Sequence, residues 1–224
     1  MSDAGRAATR LFLVRHGHVH NPHEIAYGHL PRFALDAEGR AQAHAAGVWL
    51  AGLDIRALYA SPLLRARQTA RIIRSLVGDV PLHRRRLLRE SEFARHVQGI
   101  PWPEMQRHLP ELYALFMTTP AQVTVGETLA AMAERLRRAC LAAAHRYPGA
   151  AVALVSHRDP ILALRLSLTS GDLDALHTTP CLPGSITELA LDGNALRFHR
   201  YVEPHNEEGS PIAESPRDTA TVAI

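Results

Sequence analysis

The stretch Leu11-Phe12-Leu13-Val14-Arg15-His16-Gly17-His18 decides the fold, because four apolar residues are followed directly by a cation, an imidazole and a glycine. The apolar run predicts a short buried strand, and Gly17 predicts a turn after it. Arg15 and His16 then stand at the carboxyl end of that strand. Ligands of open α/β sheets bind at this end. We therefore expect a functional site at this position.

A second stretch near the carboxyl half repeats the pattern. Ala150 to Val155 is apolar and follows a Pro-Gly turn, and Ser156-His157 comes directly after it. Predicted strands alternate with predicted helices along the chain, which indicates an α/β sandwich with a largely parallel sheet. If the two strands are parallel neighbours, their carboxyl ends bring His16 and His157 together.

The length and the composition predict the domain organisation. The chain has 224 residues, enough for one large domain. We expect a flexible N-terminus at 1–9, a single α/β domain at 10–202 and a flexible tail at 203–224, where Pro, Glu, Gly and Ser dominate. The proline-rich stretch 93–125 is a candidate cap over the site.

The charge and the cysteine content exclude several classes of protein. The net charge of +3 is too small to indicate a nucleic-acid partner, and all 25 basic residues are arginine, which excludes lysine chemistry. No apolar window reaches the ~18 residues of a membrane span, and the N-terminus does not resemble a signal peptide. The two cysteines, Cys140 and Cys181, form no disulfide framework, so we expect a cytoplasmic protein.

Local signals predict several element boundaries. Asp36 is a candidate N-cap for a helix over 37–52, and Ser61-Pro62 a candidate N-cap and first residue of a second helix. The stretch 80–89 is a candidate strand, and a helix is expected at about 104–117.

Five polar residues near predicted strand ends form a set suited to phosphoryl transfer. A neutral imidazole can attack phosphorus, and two guanidiniums can neutralise the phosphate oxygens. A carboxylic acid can protonate the departing alkoxide and afterwards activate water. The candidates for these roles are Arg15, His16, Arg65, Glu90 and His157.

Six stretches carry motifs in a fixed order: Val14–Gly17, Leu35–Ala43, Tyr59–Ala70, Gly126–Thr128, Leu154–His157 and Gly184–Thr187. In this order they resemble the motifs of the histidine phosphatase superfamily, which is also called phosphoglycerate mutase-like. The RHG motif alone is a weak signal, whereas RHG, the S-P-L-x-R-A-x-Q-T-A motif and a late V-S-H motif in this order are a strong one. The resemblance covers about 10–202.

The resemblance implies a fold and a phosphate site. The fold is a three-layer α/β sandwich with a mixed, mostly parallel central sheet. His16 corresponds to the nucleophile that becomes phosphorylated. Arg15, Arg65 and His157 correspond to the phosphate pocket, and Asn21 stands near the family's pocket asparagine.

The resemblance also implies the chemistry. Glu90 corresponds to the proton donor, although Glu92 stands two residues away as an alternative. No metal and no cofactor are implied. The expected activity is a phosphomonoesterase that forms a phosphohistidine on a small phosphorylated metabolite, whereas the absence of the family's W-N pair makes a mutase less expected. The sequence leaves the oligomeric state and the identity of the substrate open.

Two other interpretations remain open at this point. The first is a metal-dependent hydrolase that uses the cluster His16, His18 and His20, since alternate residues of a strand point the same way. The second is a non-catalytic member of the same fold that binds a phosphorylated ligand or a protein. After RHG the family often has Glu or Gln followed by Thr or Ser, whereas this chain has His18 and Val19.

Overall fold

A six-stranded sheet forms the centre of the molecule in a computed structural model, which describes residues 8–193 and 195–204. The predictions for 1–9 and 203–224 therefore lie almost wholly outside the described residues. The six strands are β1 Thr9–Arg15, β2 Ile55–Ala60, β3 Leu82–Arg84, β4 Ala151–Ser156, β5 Ile186–Asp192 and β6 Ala195–Val202.

The strand order is β3-β2-β4-β1-β5-β6. The first four strands in this order are parallel to one another, whereas β5 is antiparallel to both β1 and β6. This confirms the prediction of a mixed, mostly parallel sheet. The parallel pairing of β1 with β4 sets Arg15 opposite Ser156, so the two predicted site strands are neighbours in the sheet.

Seven α-helices and three short 3-10 turns connect the strands within the described residues. The turns are Arg86–Leu88, Pro120–Gln122 and Leu173–Leu176. The helices are α1 Ala37–Ala51, α2 Leu64–Val77, α3 Glu92–His96, α4 Trp102–His108, α5 Pro110–Thr118, α6 Leu129–Arg146 and α7 Arg158–Leu168.

The sheet is covered on both faces, and β1 shows how its sequence allows this. Successive strand residues point to opposite faces, so Leu11 and Leu13 pack with α6 and α7, while Phe12 and Val14 pack with α1 and α2. All four side chains are completely buried. A run of four apolar residues is the pattern expected of a strand with helices on both sides, and the three layers are confirmed.

The first two helices begin differently from each other. Asp36 caps α1 as predicted, since its side chain accepts a hydrogen bond from the Gly39 amide at 2.7 Å. The prediction that Ser61 caps α2 is wrong, because α2 begins at Leu64. The Ser61 amide still donates to Val155 of the neighbouring strand at 3.0 Å, so this residue extends β2 instead of opening the helix.

The strand predicted at 80–89 is confirmed only in its middle. The chain leaves the sheet after Arg84 and forms a 3-10 turn, which directs Leu88 into the core at zero exposure. Residues 89–92 then follow that turn, and this is the place where the two candidate proton donors stand.

The single helix predicted at about 104–117 is also wrong. The chain forms α4 and α5, which meet at Leu109 with a non-helical φ of −139°. Pro110 starts the second helix, because its ring disfavours helical backbone at the residue before it. Phe116 of α5 is buried in the same core cluster as residues of α6. The role of 93–125 as a cap stays a prediction.

None of the helices in the described ranges combines the length and the apolar character that a membrane crossing requires.

Candidate active site

The carboxyl ends of β1 and β4 bring two histidines into contact. His16 and His157 each follow one of these parallel strands, and their ring centroids lie 5.0 Å apart with an interplanar angle of 65°. Both residues are buried, with 2% and 0% exposure. The juxtaposition predicted from the two strand motifs is therefore present in the structure.

The glycine of the RHG motif allows the chain to turn tightly after β1. A side chain at Gly17 would collide with the backbone carbonyl of Gly39 at the start of α1. The Gly17 amide donates to the Thr69 hydroxyl of α2 at 3.2 Å. The turn that holds His16 is thus fixed between the two helices of one layer.

The hydrogen bonds of His16 identify which ring nitrogen carries the proton. Nδ1 lies 2.8 Å from the Gly17 carbonyl, which can only accept, so Nδ1 is the protonated nitrogen. Nε2 keeps its lone pair and accepts from Arg65 Nε at 3.1 Å. Burial, followed by the charges of Arg65 and Arg15, lowers the pKa of His16 well below its usual value. The ring is neutral at pH 7, and Nε2 is available as a nucleophile.

Arg65 is a fully buried cation, and three contacts hold its side chain in place. Besides the contact with His16, its Nη2 donates to the Gly28 carbonyl at 2.9 Å. Its guanidinium lies 4.6 Å from the centroid of the Tyr27 ring, which in turn stacks on Phe33. The favourable interaction of a cation with an aromatic face fixes the guanidinium in place. Nothing in the sequence marks Tyr27 as a contact of Arg65, since an aromatic residue inside a long loop gives no signal of this role.

Arg15 contributes a second cation beside the histidine pair. Its Nη1 donates to the Cys181 carbonyl at 2.6 Å, which directs the guanidinium along the loop before β5. Its Nε is buried without a hydrogen-bond partner. The charge of Arg15, after burial and the charge of Arg65, also lowers the pKa of His16.

His157 has one satisfied and one unsatisfied ring nitrogen. Its Nε2 contacts the Ser61 hydroxyl at 2.8 Å, the contact that replaces the predicted helix cap. Its Nδ1 is buried without a hydrogen bond and lies 3.8 Å from Glu90 Oε2. Burial, followed by the charge of Arg65, lowers the pKa of His157 well below its usual value. A buried polar atom without a partner is costly, so His157 Nδ1 and Arg15 Nε favour a ligand that brings oxygen atoms.

Glu90 meets this cluster from the turn after β3. Its Oε1 accepts from the Ser91 amide at 3.0 Å, and its carbonyl accepts from His29 Nε2 at 2.9 Å. Burial, followed by the negative charge of Asp159, raises the pKa of the Glu90 carboxyl to about 7. The group is therefore poised to give and take a proton near neutral pH.

Glu92, the alternative proton donor, is directed elsewhere. Its carboxylate forms ion pairs with Arg89 and Arg95, each at 3.1 Å. Partial burial acts to raise the pKa of Glu92, but the hydrogen bond from Arg95 and the charges of His29 and Arg89 lower it below its usual value. A carboxyl that stays ionised is a poor general acid, so the structure favours Glu90 for this role.

Asn21 is the sequence-predicted residue that the structure does not show in contact with the histidine pair. Its amide nitrogen donates to the Ile25 carbonyl at 2.9 Å, and its oxygen accepts from the Ile25 amide at 3.2 Å. Both ends of the side chain are thus used to close a turn of the loop. Its contribution to phosphate binding stays a prediction.

The histidine cluster suggested for a metal is not assembled. His18 Nδ1 pairs with Asp36 on the exposed side of the loop. Across the described ranges, the grouping with metal-ligand character is His16, Glu90 and His157, whose ligand atoms lie within 4.8 Å of one another. The lone pair of His16 there faces the Arg65 guanidinium at 3.1 Å. Buried positive charge at that distance favours an anion over a metal cation.

Comparison with known proteins places the chain in a family and shows the same fold. The family model of the histidine phosphatase superfamily (branch 1) matches residues 11–204. Rv0525 of Mycobacterium tuberculosis is 36% identical over 197 residues, which cover 88% of this chain and 96% of that protein. The solved structure of YhfR from Bacillus stearothermophilus is similar with a TM-score of 0.77 at 27% identity, covering 86% of this chain and 95% of its own.

A further solved structure shows the same fold at lower identity. It is the mycobacterial glucosyl-3-phosphoglycerate phosphatase Rv2419c with VO3, with a TM-score of 0.72 at 24% identity, covering 87% of this chain and 97% of its own. The match of the family model extends from β1 to the end of β6 and includes the whole cluster described above. The chain belongs to branch 1 of the histidine phosphatase superfamily.

Proposed function

We propose that the protein is a metal-independent phosphomonoesterase that works through a phosphohistidine at His16. The observation that carries the proposal is the state of His16: a buried, neutral ring whose Nε2 lone pair points toward the Arg65 guanidinium. Glu90, with its pKa raised to about 7, supplies a proton donor on the other side of the cluster.

The first step transfers the phosphoryl group to the protein. His16 Nε2 attacks phosphorus as the P–O ester bond breaks, and the departing alkoxide takes the proton of the Glu90 carboxyl. Arg65 exchanges its bond with His16 Nε2 for one with a phosphate oxygen. Arg15 Nε, which is buried without a hydrogen-bond partner, donates to a second phosphate oxygen. The guanidiniums thereby neutralise the charge of the transition state.

The second step returns the enzyme to its starting state. Glu90, now a carboxylate, takes a proton from water, and the resulting hydroxide oxygen forms a bond with phosphorus as the P–N bond to His16 breaks. Inorganic phosphate leaves, and the Glu90 carboxyl is protonated again. The position of His157 Nδ1, 3.8 Å from Glu90 Oε2, suits a donor to a phosphate oxygen in both steps.

The substrate class we propose is a small phosphorylated metabolite. Its support is the family and the phosphatase function named for two fold neighbours, the glucosyl-3-phosphoglycerate phosphatase and a phosphoserine phosphatase from Entamoeba histolytica. Phosphatase activity is proposed over mutase activity, and a cytoplasmic location is proposed because both cysteines are free and buried.

Phosphate release from p-nitrophenyl phosphate in the presence of EDTA tests the proposal. His16→Ala is expected to lower kcat/KM by about a thousandfold or more, since the nucleophile is lost. The matched control is the double variant His18→Ala/His20→Ala, which is expected to keep kcat/KM close to the wild type because His18 points to Asp36. Loss of activity in the double variant, or on addition of EDTA, would support the metal-dependent alternative instead.

A further inference from the structure

A pocket separate from the candidate active site lies beside α2, at the carboxyl ends of β2 and β3. Its volume is about 320 Å³. It is lined by Arg67, Arg71 and Arg84 around an apolar floor of Ala60 and Leu82. Three guanidiniums from two elements therefore surround one space.

None of these three arginines pairs with a carboxylate among the residues that the structure describes. The lining contains no carboxylate, and none of the ion pairs found across the described ranges includes Arg67, Arg71 or Arg84. Arg67 Nε is moreover buried without a hydrogen-bond partner. By contrast, Arg74, one turn further along α2, pairs with Asp79. Like charges that converge without a counter-charge repel one another unless an anion joins them.

The pocket and the active site are on different sides of α2. Arg65 and Arg67 are two positions apart, so their side chains leave the helix in nearly opposite directions. Arg65 is buried against His16, whereas Arg67 faces the edge strand β3. The pocket shares no lining residue with the cluster of His16, Glu90 and His157, and the two sites can be altered independently.

We propose that this pocket binds a small anion with two or more linked phosphate groups. Each guanidinium can form two parallel hydrogen bonds to phosphate oxygens. Each phosphate carries up to about two negative charges at neutral pH, so two linked groups approach the charge of three arginines. The volume is at the lower end of the range of ligand pockets, about 300 to 1,000 Å³, and a single phosphate group leaves most of it empty.

Isothermal titration calorimetry with three probes tests the proposal. Methylenediphosphonate presents the linked groups alone, adenosine 5′-(α,β-methylene)diphosphate presents them on a nucleoside, and orthophosphate is the single-group comparison. The carbon bridge prevents hydrolysis by the active site. At least one linked probe is expected to bind more tightly than orthophosphate, and the ratio of the two linked probes shows whether the nucleoside contributes.

Two triple variants with the same change of net charge provide the control. The pocket variant is Arg67→Gln/Arg71→Gln/Arg84→Gln, and the control variant replaces the exposed residues Arg107, Arg138 and Arg197 by Gln. The pocket variant is expected to weaken binding of the linked probe by about tenfold or more, while the control variant binds as the wild type. Both are expected to retain p-nitrophenyl phosphate turnover.

The proposal is overturned if the two triple variants bind the linked probes equally, or if the pocket variant loses as much affinity for orthophosphate as for the linked probes. Should the pocket triple variant fail to fold, the single variants Arg71→Gln and Arg84→Gln, at exposed positions, give the same comparison. Each is expected to weaken binding by severalfold, and wild-type affinity in both would contradict the proposal.

Discussion

Glu90 and Glu92 are two positions apart in the chain, but their surroundings shift the pKa values of the two carboxyl groups in opposite directions. The Glu90 carboxyl is surrounded by protein, and its pKa is raised to about 7, whereas Glu92 is held ionised by Arg95 and Arg89. The sequence offers both as candidates because each follows the same predicted strand. Which of them turns inward depends on the 3-10 turn at Arg86–Leu88, which has no pattern of its own in the sequence.

The replacement of each acid by its amide separates their roles. We expect Glu90→Gln to lower kcat/KM, which reports the first step, by about a hundredfold or more for an alkyl phosphate such as β-glycerophosphate, because the alkoxide then leaves without a proton. The loss is expected to be smaller for p-nitrophenyl phosphate, whose phenolate leaves readily unprotonated. Glu92→Gln is the matched control and should leave both substrates unaffected. Equal losses on the two substrates would argue against Glu90 as the proton donor.

At the level of the element, α7 does more than follow β4. Its first turn carries Asp159, whose carboxylate accepts from the Ser91 hydroxyl at 3.5 Å, while the Ser91 amide donates to Glu90. One serine thus connects the two carboxyl groups. The negative charge of Asp159 is, after burial, the second cause of the raised pKa of Glu90. The start of α7 therefore helps to keep the proposed proton donor protonated.

A pH profile of kcat/KM tests this connection. Phosphorylation needs a protonated Glu90 and a neutral His16, so kcat/KM for an alkyl phosphate should fall as the pH rises through about 7. The acidic limb should lie below the usual histidine range, since the pKa of His16 is lowered. Asp159→Asn removes a negative neighbour, lowers the pKa of Glu90 and shifts the alkaline limb to lower pH.

The exposed residue Asp54 supplies the control for that profile. Asp54→Asn makes the same chemical change at a carboxylate that is 87% exposed, and it should leave both limbs in place. An alkaline limb that does not move in Asp159→Asn would contradict the connection through α7. A limb that moves to higher pH would contradict its sign.

Some helices and strands could be predicted from the sequence, and others could not. The apolar runs gave β1 and β4 because a fully buried strand is continuous in its hydrophobicity. The helix start predicted at Ser61 is wrong because Ser-Pro is typical of a helix start, whereas here the serine hydroxyl contacts His157. The break at Leu109 could have been read from Pro110, since proline restricts the residue before it.

For the whole molecule, the order of the strands decides the site, and local patterns do not contain it. The sequence shows that β1 and β4 end in histidine, but only the pairing Arg15 with Ser156 makes them neighbours. The S-P-L-x-R-A-x-Q-T-A motif similarly marks Arg65 without showing that Tyr27 and Gly28 hold it. Contacts between distant segments of the chain supply what the motifs omit.

The complete fold also explains why the candidate site is preorganised for the anion that we propose. Arg15 and His16 lie on one chain segment, and Arg65, Glu90 and His157 lie on three others. Backbone hydrogen bonds hold His16, Glu90 and His157, and helix α2 carries Arg65. Cations and neutral imidazoles are thereby fixed before a substrate arrives, which is the condition for electrostatic stabilisation of a transition state.

Direct detection of the phosphorylated protein is the most direct test of this mechanism. Glu90→Gln should accumulate the intermediate from p-nitrophenyl phosphate, because that substrate needs no proton for departure while the second step lacks its base. Rapid quenching in alkali followed by peptide mass spectrometry is expected to find a phosphoryl group on His16, and none in Glu90→Gln/His16→Ala. A burst of p-nitrophenol without phosphate on His16, or with phosphate on another residue, would contradict the mechanism.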